Sequence, residues 1–232
     1  MVVKGESSLA ITFSAMVRTL SATDQVAIEE AVAVLKGGGI IVYPTDTVYG
    51  LGALAEDDEA VRRVFAVKGR AADKALPLLI GEASDAEKIA AQVPAAARKL
   101  MERFWPGGLT IVFSKSPSFK SLALGGSDTV ALRLPDHPLL REIIRGAGGP
   151  ITGTSANRSG LGAPLTCGEA LEQVGHAVDL ALDDGPCPGG IESTVVDITK
   201  DPPLLLRQGA ISREQIESLL GTTMAVPAAP KV

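Results

Sequence analysis

Gly39-Ile-Ile-Val-Tyr43 runs directly into Pro44-Thr-Asp-Thr-Val-Tyr-Gly-Leu-Gly52. An apolar, β-branched run bounded by Gly and Pro reads as a strand. Pro44 ends it, because proline cannot donate to a ladder. Hydroxyls and a carboxylate follow at once, then glycines. In α/β proteins ligands gather beyond strand ends of this kind. A plain turn, with Asp46 and Thr47 bonding their own backbone, leaves the same trace. The stretch alone therefore predicts an α/β chain and leaves its own role open.

The flanks support that class. Ser21 to Asp24 reads as a capping box ahead of a helix over 24–36, with Ala27, Ala31, Val34 and Leu35 as its apolar stripe and Gly37 as its end. Further helices are predicted over Asp57–Val67, from Pro94 (at the first helical position) to Phe104, over Pro138–Arg145, from the Thr166 capping box to Gly175, and from Ser212 to Gly221. Strands are predicted at Leu76–Ile80, Leu109–Phe113, Thr129–Leu134, Ile151–Thr154, Val178–Leu182, Thr194–Ile198 and Leu204–Arg207. Helices and strands do not alternate strictly, so the expected sheet mixes parallel and antiparallel pairs under flanking helices.

Composition sets limits. Of 232 residues, 46% are hydrophobic and 21% charged, which fits a chain with a sizeable core and excludes a disordered one. The 25 glycines and 15 prolines exclude a coiled coil. A net charge of −5 and only 3% aromatics argue against a nucleic-acid coat or a base-stacking platform, while leaving room for a local basic face. Cys167, Cys187, His137 and His176 show no metal-ligand spacing and no disulfide framework, and a reducing cytoplasm fits them. No uncharged run approaches the roughly 18 residues of a membrane helix. Two apolar candidates, Ser7–Val17 and Phe104–Ser114, have 11 each, and the first lacks a convincing cleavage site after it.

Three more segments carry polar residues without an obvious structural duty. Lys68-Gly-Arg70 follows a helix; Lys as a point charge and Arg as a fork can grip phosphate oxygens, or both can compensate a helix dipole. Gly153-Thr-Ser-Ala-Asn157 offers small residues for close backbone approach to an anion, or a plain turn. It matches neither a phosphate loop nor a dinucleotide fingerprint. Gly189-Gly-Ile-Glu-Ser-Thr194 enters a strand and is followed by Arg207, which could serve a ligand or a surface ion pair. No nucleophile elbow occurs. His137 reads as a turn or helix-start residue, and Cys167 as a structural thiol.

Taken together, YPTDTVYGLG, KGR, FWPGGLT, TVALRLPDHP, GTSANRSG, GIESTVVD and LLRQGAIS resemble, in this order, the YrdC/TsaC family of threonylcarbamoyl-AMP synthases, from about Asp24 to Gly221. The resemblance implies a twisted mixed sheet with flanking helices and a concave, positively lined cleft. It implies that L-threonine, bicarbonate or carbon dioxide, and ATP (with Mg²⁺) give threonylcarbamoyl-AMP and pyrophosphate. A transferase complex would then pass the group to tRNA, whose contact with this chain stays open, and no membrane is involved.

By position in the motifs, Lys68, Arg70, Ser155 and Asn157 are the implied catalytic and ATP-binding residues. Thr129, Arg133 and Arg207 are implied for ATP, and Thr45 and Ser193 for threonine. Two departures stand out: Ala71 where many members have Pro, and Leu79 where some have a threonine-contacting His. The expected organisation is an extension over 1–20, a catalytic domain over 21–221 and a flexible Pro/Ala-rich tail over 222–232, in the short single-domain form. A non-catalytic RNA- or nucleotide-binding module of the same fold is the alternative. A carbamoyl-adenylate domain of hydrogenase-maturation type would need segments not seen here.

Overall fold

The computed structural model describes residues 17–227. Its strands are β1 (Thr19–Ser21), β2 (Ile41–Tyr43), β3 (Gly50–Gly52), β4 (Leu78–Leu79), β5 (Leu109–Ser114), β6 (Thr129–Arg133), β7 (Ile151–Thr152), β8 (Thr154–Ser155), β9 (Leu180–Asp183), β10 (Thr194–Asp197) and β11 (Leu204–Arg207). Its α-helices are α1 (Gln25–Lys36), α2 (Asp58–Lys68), α3 (Asp85–Ile89), α4 (Ala95–Phe104), α5 (Pro138–Ala147), α6 (Cys167–Val174) and α7 (Arg213–Leu220).

The strands divide into two mixed sheets, in the orders β1-β9-β2-β3-β8 and β11-β10-β5-β6-β4-β7. The mixed pairing expected from sequence holds. The single sheet does not, because the predicted strand Ile151–Thr154 breaks at Gly153. Its first half pairs with β4 and its second with β3. Thr152 Oγ1 accepts from Ala53 N at 3.2 Å, and Tyr43 Oη donates to the Thr152 carbonyl at 2.7 Å, so this junction is stitched to the first sheet.

The segment around β2 is buried on both faces. Ile40 and Val42 face one apolar core, and Ile41 and Tyr43 face another. Period-two alternation buries both faces of the strand. The second core closes when α1 (Ala27, Ala31, Leu35) and α5 (Leu140, Ile143, Ile144) cover β2 and β9. Each buried Leu or Ile among these is worth roughly 1.5–3 kcal/mol.

Local signals set the helix ends. Asp57 caps α2 by accepting from Glu59 N and Ala60 N, and Gly69 ends it in the left-handed region at φ +59°. Both capping boxes, at Thr166 and Ser212, form. Two expectations need correction, and one element was missed. Asp24, not Ser21, caps α1; Ser21 lies in β1 and bonds Thr23. Pro94 is the N-cap of α4, not its first residue. The short helix α3 had no sequence signal strong enough to predict it.

Residues 19 and 20, assigned from sequence to an extension, pair in parallel with β9. At the other end Met224 is buried and Ala225 bridges to Leu204, so the predicted tail begins packed. The run Ser7–Val17, apart from Val17, lies outside the described residues. Among the described residues no helix is long and apolar enough to cross a membrane.

Candidate active site

Where the two sheets part, a cavity of about 550 Å³ opens, lined by Lys68, Arg70, Thr129, Ser155, Asn157 and Arg207. A narrow niche adjoins it, reaching Thr45, Arg133 and Ser193 and sharing Ser155 and Arg207. All nine residues singled out from sequence thus face one connected cleft, although they come from six separate segments of the chain.

Lys68 is the last residue of α2, and Gly69 ends the helix in the left-handed region. The ammonium is buried and spends all three N–H donors across the cleft loop: on the Ser155 carbonyl (2.5 Å), the Asn157 carbonyl (2.9 Å) and Asn157 Oδ1 (3.0 Å). Ser155 Oγ donates to the same Oδ1 at 2.7 Å, and Ser159 N returns to the Lys68 carbonyl at 2.9 Å. Dipole compensation at its own helix end, the rival reading of Lys68, is not what its ammonium does here. Burial, reinforced by the Arg70 charge and opposed by Glu192, pushes the Lys68 pKa down to about 8. Arg70 uses two of its N–H groups on the Lys74 and Ala75 carbonyls, which shape its own loop.

The turn after β2 settles the first ambiguity with a different residue. Thr45, not Asp46 or Thr47, bonds the local backbone: its hydroxyl donates to the Val48 carbonyl at 2.7 Å and accepts from Thr47 N and Val48 N. Asp46 and Thr47 instead hold Arg133. Its guanidinium donates to Asp46 Oδ1 at 2.5 Å, Thr47 Oγ1 at 2.8 Å and the Gly107 carbonyl at 3.0 Å. Arg133 is buried; desolvation holds its pKa below the usual arginine range, and the Asp46 carboxylate offsets this only in part. It braces the loop while lining the niche.

The facing wall is the segment leading into β10. Ser193 Oγ sits 2.8 Å from Thr110 Oγ1 and accepts from Arg207 Nη2 at 3.1 Å. Arg207 also donates to the Ser193 carbonyl and to Glu192 Oε2 at 2.8 Å. Gly209 makes this possible: a Cβ there would stand 2.3 Å from the Glu192 carbonyl oxygen. Thr129 shares its hydroxyl with Ser127 at 2.8 Å. Leu79, where some family members have a His, lines the niche and packs against the site of Gly153, where a Cβ would meet its Cγ at 2.8 Å.

Sequence reasoning did not single out Glu192 as a site residue, although its carboxylate borders both cavities. The signal was its place beside Ser193 in a glycine-rich strand entrance; what was missing was its pairing with Arg207. His137 takes the structural role expected of it, its Nδ1 accepting from Leu140 N at the start of α5. Among the described residues no group of three or more His, Cys, Asp or Glu side chains converges on a metal-sized site.

A model of the Sua5/YciO/YrdC family, described as "Telomere recombination", matches residues 33–209. The chain belongs to this family. Among curated members of the Sua5/YciO/YrdC family, it is 40% identical over 198 residues to the threonylcarbamoyl-AMP synthase of Pyrococcus abyssi, covering 85% of this chain and 58% of that protein. It is 40% identical over 200 residues to the threonylcarbamoyl-AMP synthase of Bacillus subtilis, covering 86% and 58%. The chain thus spans somewhat more than half the length of these two relatives. The crystal structure of P. abyssi Sua5 complexed with L-threonine superposes with a TM-score of 0.86 at 37% identity, over 91% of this chain and 62% of that one.

Proposed function

We propose that this chain is an L-threonylcarbamoyladenylate synthase, a nucleotidyltransferase that forms threonylcarbamoyl-AMP and pyrophosphate from L-threonine, bicarbonate or carbon dioxide, and ATP. The observation that carries the reading is the single cleft in which the Lys68–Ser155–Asn157 cluster faces the Arg207–Ser193 wall, in a chain 40% identical to proteins of that name.

The chemistry suits such a site. The threonine amine, once deprotonated, adds to carbon dioxide and releases a proton, leaving a carbamate. A carbamate oxygen attacks the α-phosphorus of ATP, the bond to the bridging oxygen breaks, and pyrophosphate leaves. Negative charge accumulates on phosphoryl oxygens, so positioned cations and hydrogen-bond donors supply the catalysis and no protein nucleophile is required. Lys68 contributes its charge and the shape of the Ser155–Asn157 loop. Arg70 contributes the N–H groups its own loop leaves over, Thr129 a hydroxyl, and Arg207 a guanidinium between the two cavities. Thr45, Arg133 and Ser193 form the niche for threonine and hold its walls.

Mg²⁺ enters with ATP in this reading. Among the described residues only two carboxylates, Glu192 and Asp197, line the large cavity. Glu192 is paired with Arg207, and Asp197 accepts from Thr199, so phosphate oxygens and water would supply most of the ion's ligands. The ion neutralises phosphate charge. The product then serves a cytoplasmic threonylcarbamoyl transferase complex acting on tRNA.

The test is pyrophosphate release from Mg-ATP with threonine and bicarbonate omitted in turn, and with Asn157→Ala beside the wild type. Release that needs both substrates and collapses in the variant supports the reading. ATP binding without threonine-dependent release refutes it and leaves a nucleotide-binding module.

A further inference from the structure

The cleft is rich in cations, with Lys68, Arg70, Arg133 and Arg207 on its walls. A zwitterionic amino acid needs more than that. Its carboxylate finds a partner among the arginines, since Lys68 has all three N–H groups engaged, but its ammonium needs an acceptor. Glu192 is the only side-chain anion lining the narrow niche among the described residues. It also borders the large cavity, where its one fellow carboxylate, Asp197, is already bonded through Oδ1 to the Thr199 amide and hydroxyl.

The Glu192 carboxylate is held but not saturated. Oε2 accepts from Arg207 Nη1 at 2.8 Å; among the described residues no hydrogen bond reaches Oε1. The pair is partly exposed, at 40% on both side chains, so the carboxylate is open to the cleft. Behind it, Gly209 packs directly against the Glu192 and Ser193 backbone, which prevents the segment from retreating. A fixed carboxylate with a free oxygen therefore stands at the junction of the niche and the nucleotide-sized cavity.

We infer that Glu192 is a substrate-binding residue that receives the α-ammonium group of the amino-acid substrate and turns its nitrogen toward the large cavity. This rests on the proposed synthase activity. It deepens that proposal by giving the nitrogen, which must meet carbon dioxide and then face ATP, a defined place. Arg207 thereby acquires a second duty as the positioning partner that keeps Glu192 pointed inward.

The experiment measures direct binding by calorimetry, for wild type, Glu192→Gln and Glu192→Asp. The ligands are L-threonine, the analogue with hydroxyl in place of amine (2,3-dihydroxybutanoate of matching configuration), and ATP. Gln retains an oxygen for Arg207 but loses the charge. We expect Glu192→Gln to weaken threonine by about 10- to 100-fold, the range for a lost charge-assisted hydrogen bond. Its preference for threonine over the hydroxy analogue should vanish, with ATP affinity changed less than about threefold. Glu192→Asp should restore part of the preference. Equal weakening of threonine and ATP, or an undiminished preference in Glu192→Gln, overturns the inference and leaves Glu192 a structural partner of Arg207. A wild type that does not bind threonine at all instead overturns the synthase reading, on which the inference depends.

Discussion

Lys68 offers the sharpest test, because its burial makes a site property depend on pH. Its ammonium is enclosed by the Ser155 and Asn157 oxygens, and burial lowers its pKa from 10.5 to about 8. At neutral pH most molecules carry the charge; above about pH 8 most do not. If the site binds ATP as proposed, the anion favours the charged form, so the bound site must recover the proton. At about pH 9.5, 1.5 pH units above that value, only about 3% of free sites keep the proton, and recovering it costs about 2 kcal/mol, or about 30-fold in Kd. Titrating ATP into the protein between about pH 7 and 9.5 should therefore show affinity falling steadily beyond pH 8. Lys68→Met should bind more weakly at pH 7 and show no such fall. A flat wild-type profile, or an equal fall in Lys68→Met, would refute the assignment.

The same proton bears on stability. The folded state holds it less tightly than the unfolded chain, so the unfolded chain binds more protons between pH 8 and 10.5 and stability rises with pH across that window. The contribution is complete above 10.5 and is lost as pH falls through 8. For this buried group it amounts to at most about 3 kcal/mol, seen as the difference between wild type and Lys68→Met in urea unfolding.

Three further outcomes follow from the geometry. Arg133→Met strands the Asp46 carboxylate and should lower stability by about 3–5 kcal/mol in urea unfolding, with Asp46→Asn recovering part of it; additive single effects would show that the pair is not coupled. Gly209→Ala puts a Cβ 2.3 Å from the Glu192 carbonyl oxygen and 2.5 Å from the Ser193 carbonyl carbon, so it should displace that wall. Pyrophosphate production should drop about 100-fold or more while the protein stays folded by circular dichroism, and activity within threefold of wild type would refute this. Burial raises the Cys167 thiol to about 11, so at pH 8 only about 0.1% is thiolate, and iodoacetamide should label it slowly until urea unfolds the chain; rapid labelling of folded protein would contradict its buried placement.

Most secondary structure was legible because its signals are local. The apolar stripes of α1 and α2, the capping boxes at Thr166 and Ser212, and the left-handed glycines at 69 and 221 involve residues within one or two turns of each other. The failures were non-local. Nothing near Ile151 announces that the strand changes sheets at Gly153; β4 and β3, distant in sequence, decide it. Ser21 has the composition of a cap, but its partner Asp183 places it in a strand instead.

The site divides in the same way. The polar segments after β2, α2 and β7, and before β10, could be picked out by residue type, because hydroxyls, cations and glycines at element ends have little packing value. The family resemblance gave them roles. Which donors are spent and which remain could not be read along the chain. That Thr45 closes its own turn, that Arg133 is tied to Asp46 and Thr47, and that Lys68 has all three N–H groups engaged follow from contacts across 2 to 89 residues of sequence.

By itself, then, the amino-acid order determined the elements, the α/β class and the set of chemistry-bearing residues, since propensity, capping and patterning act over a few residues. Only the tertiary structure decided that the strands form two sheets, that nine scattered side chains share one cleft, and that Glu192 stands with a free oxygen between its two chambers. Those outcomes depend on long-range strand pairing and on hydrogen-bond partners that the chain brings together only when it folds.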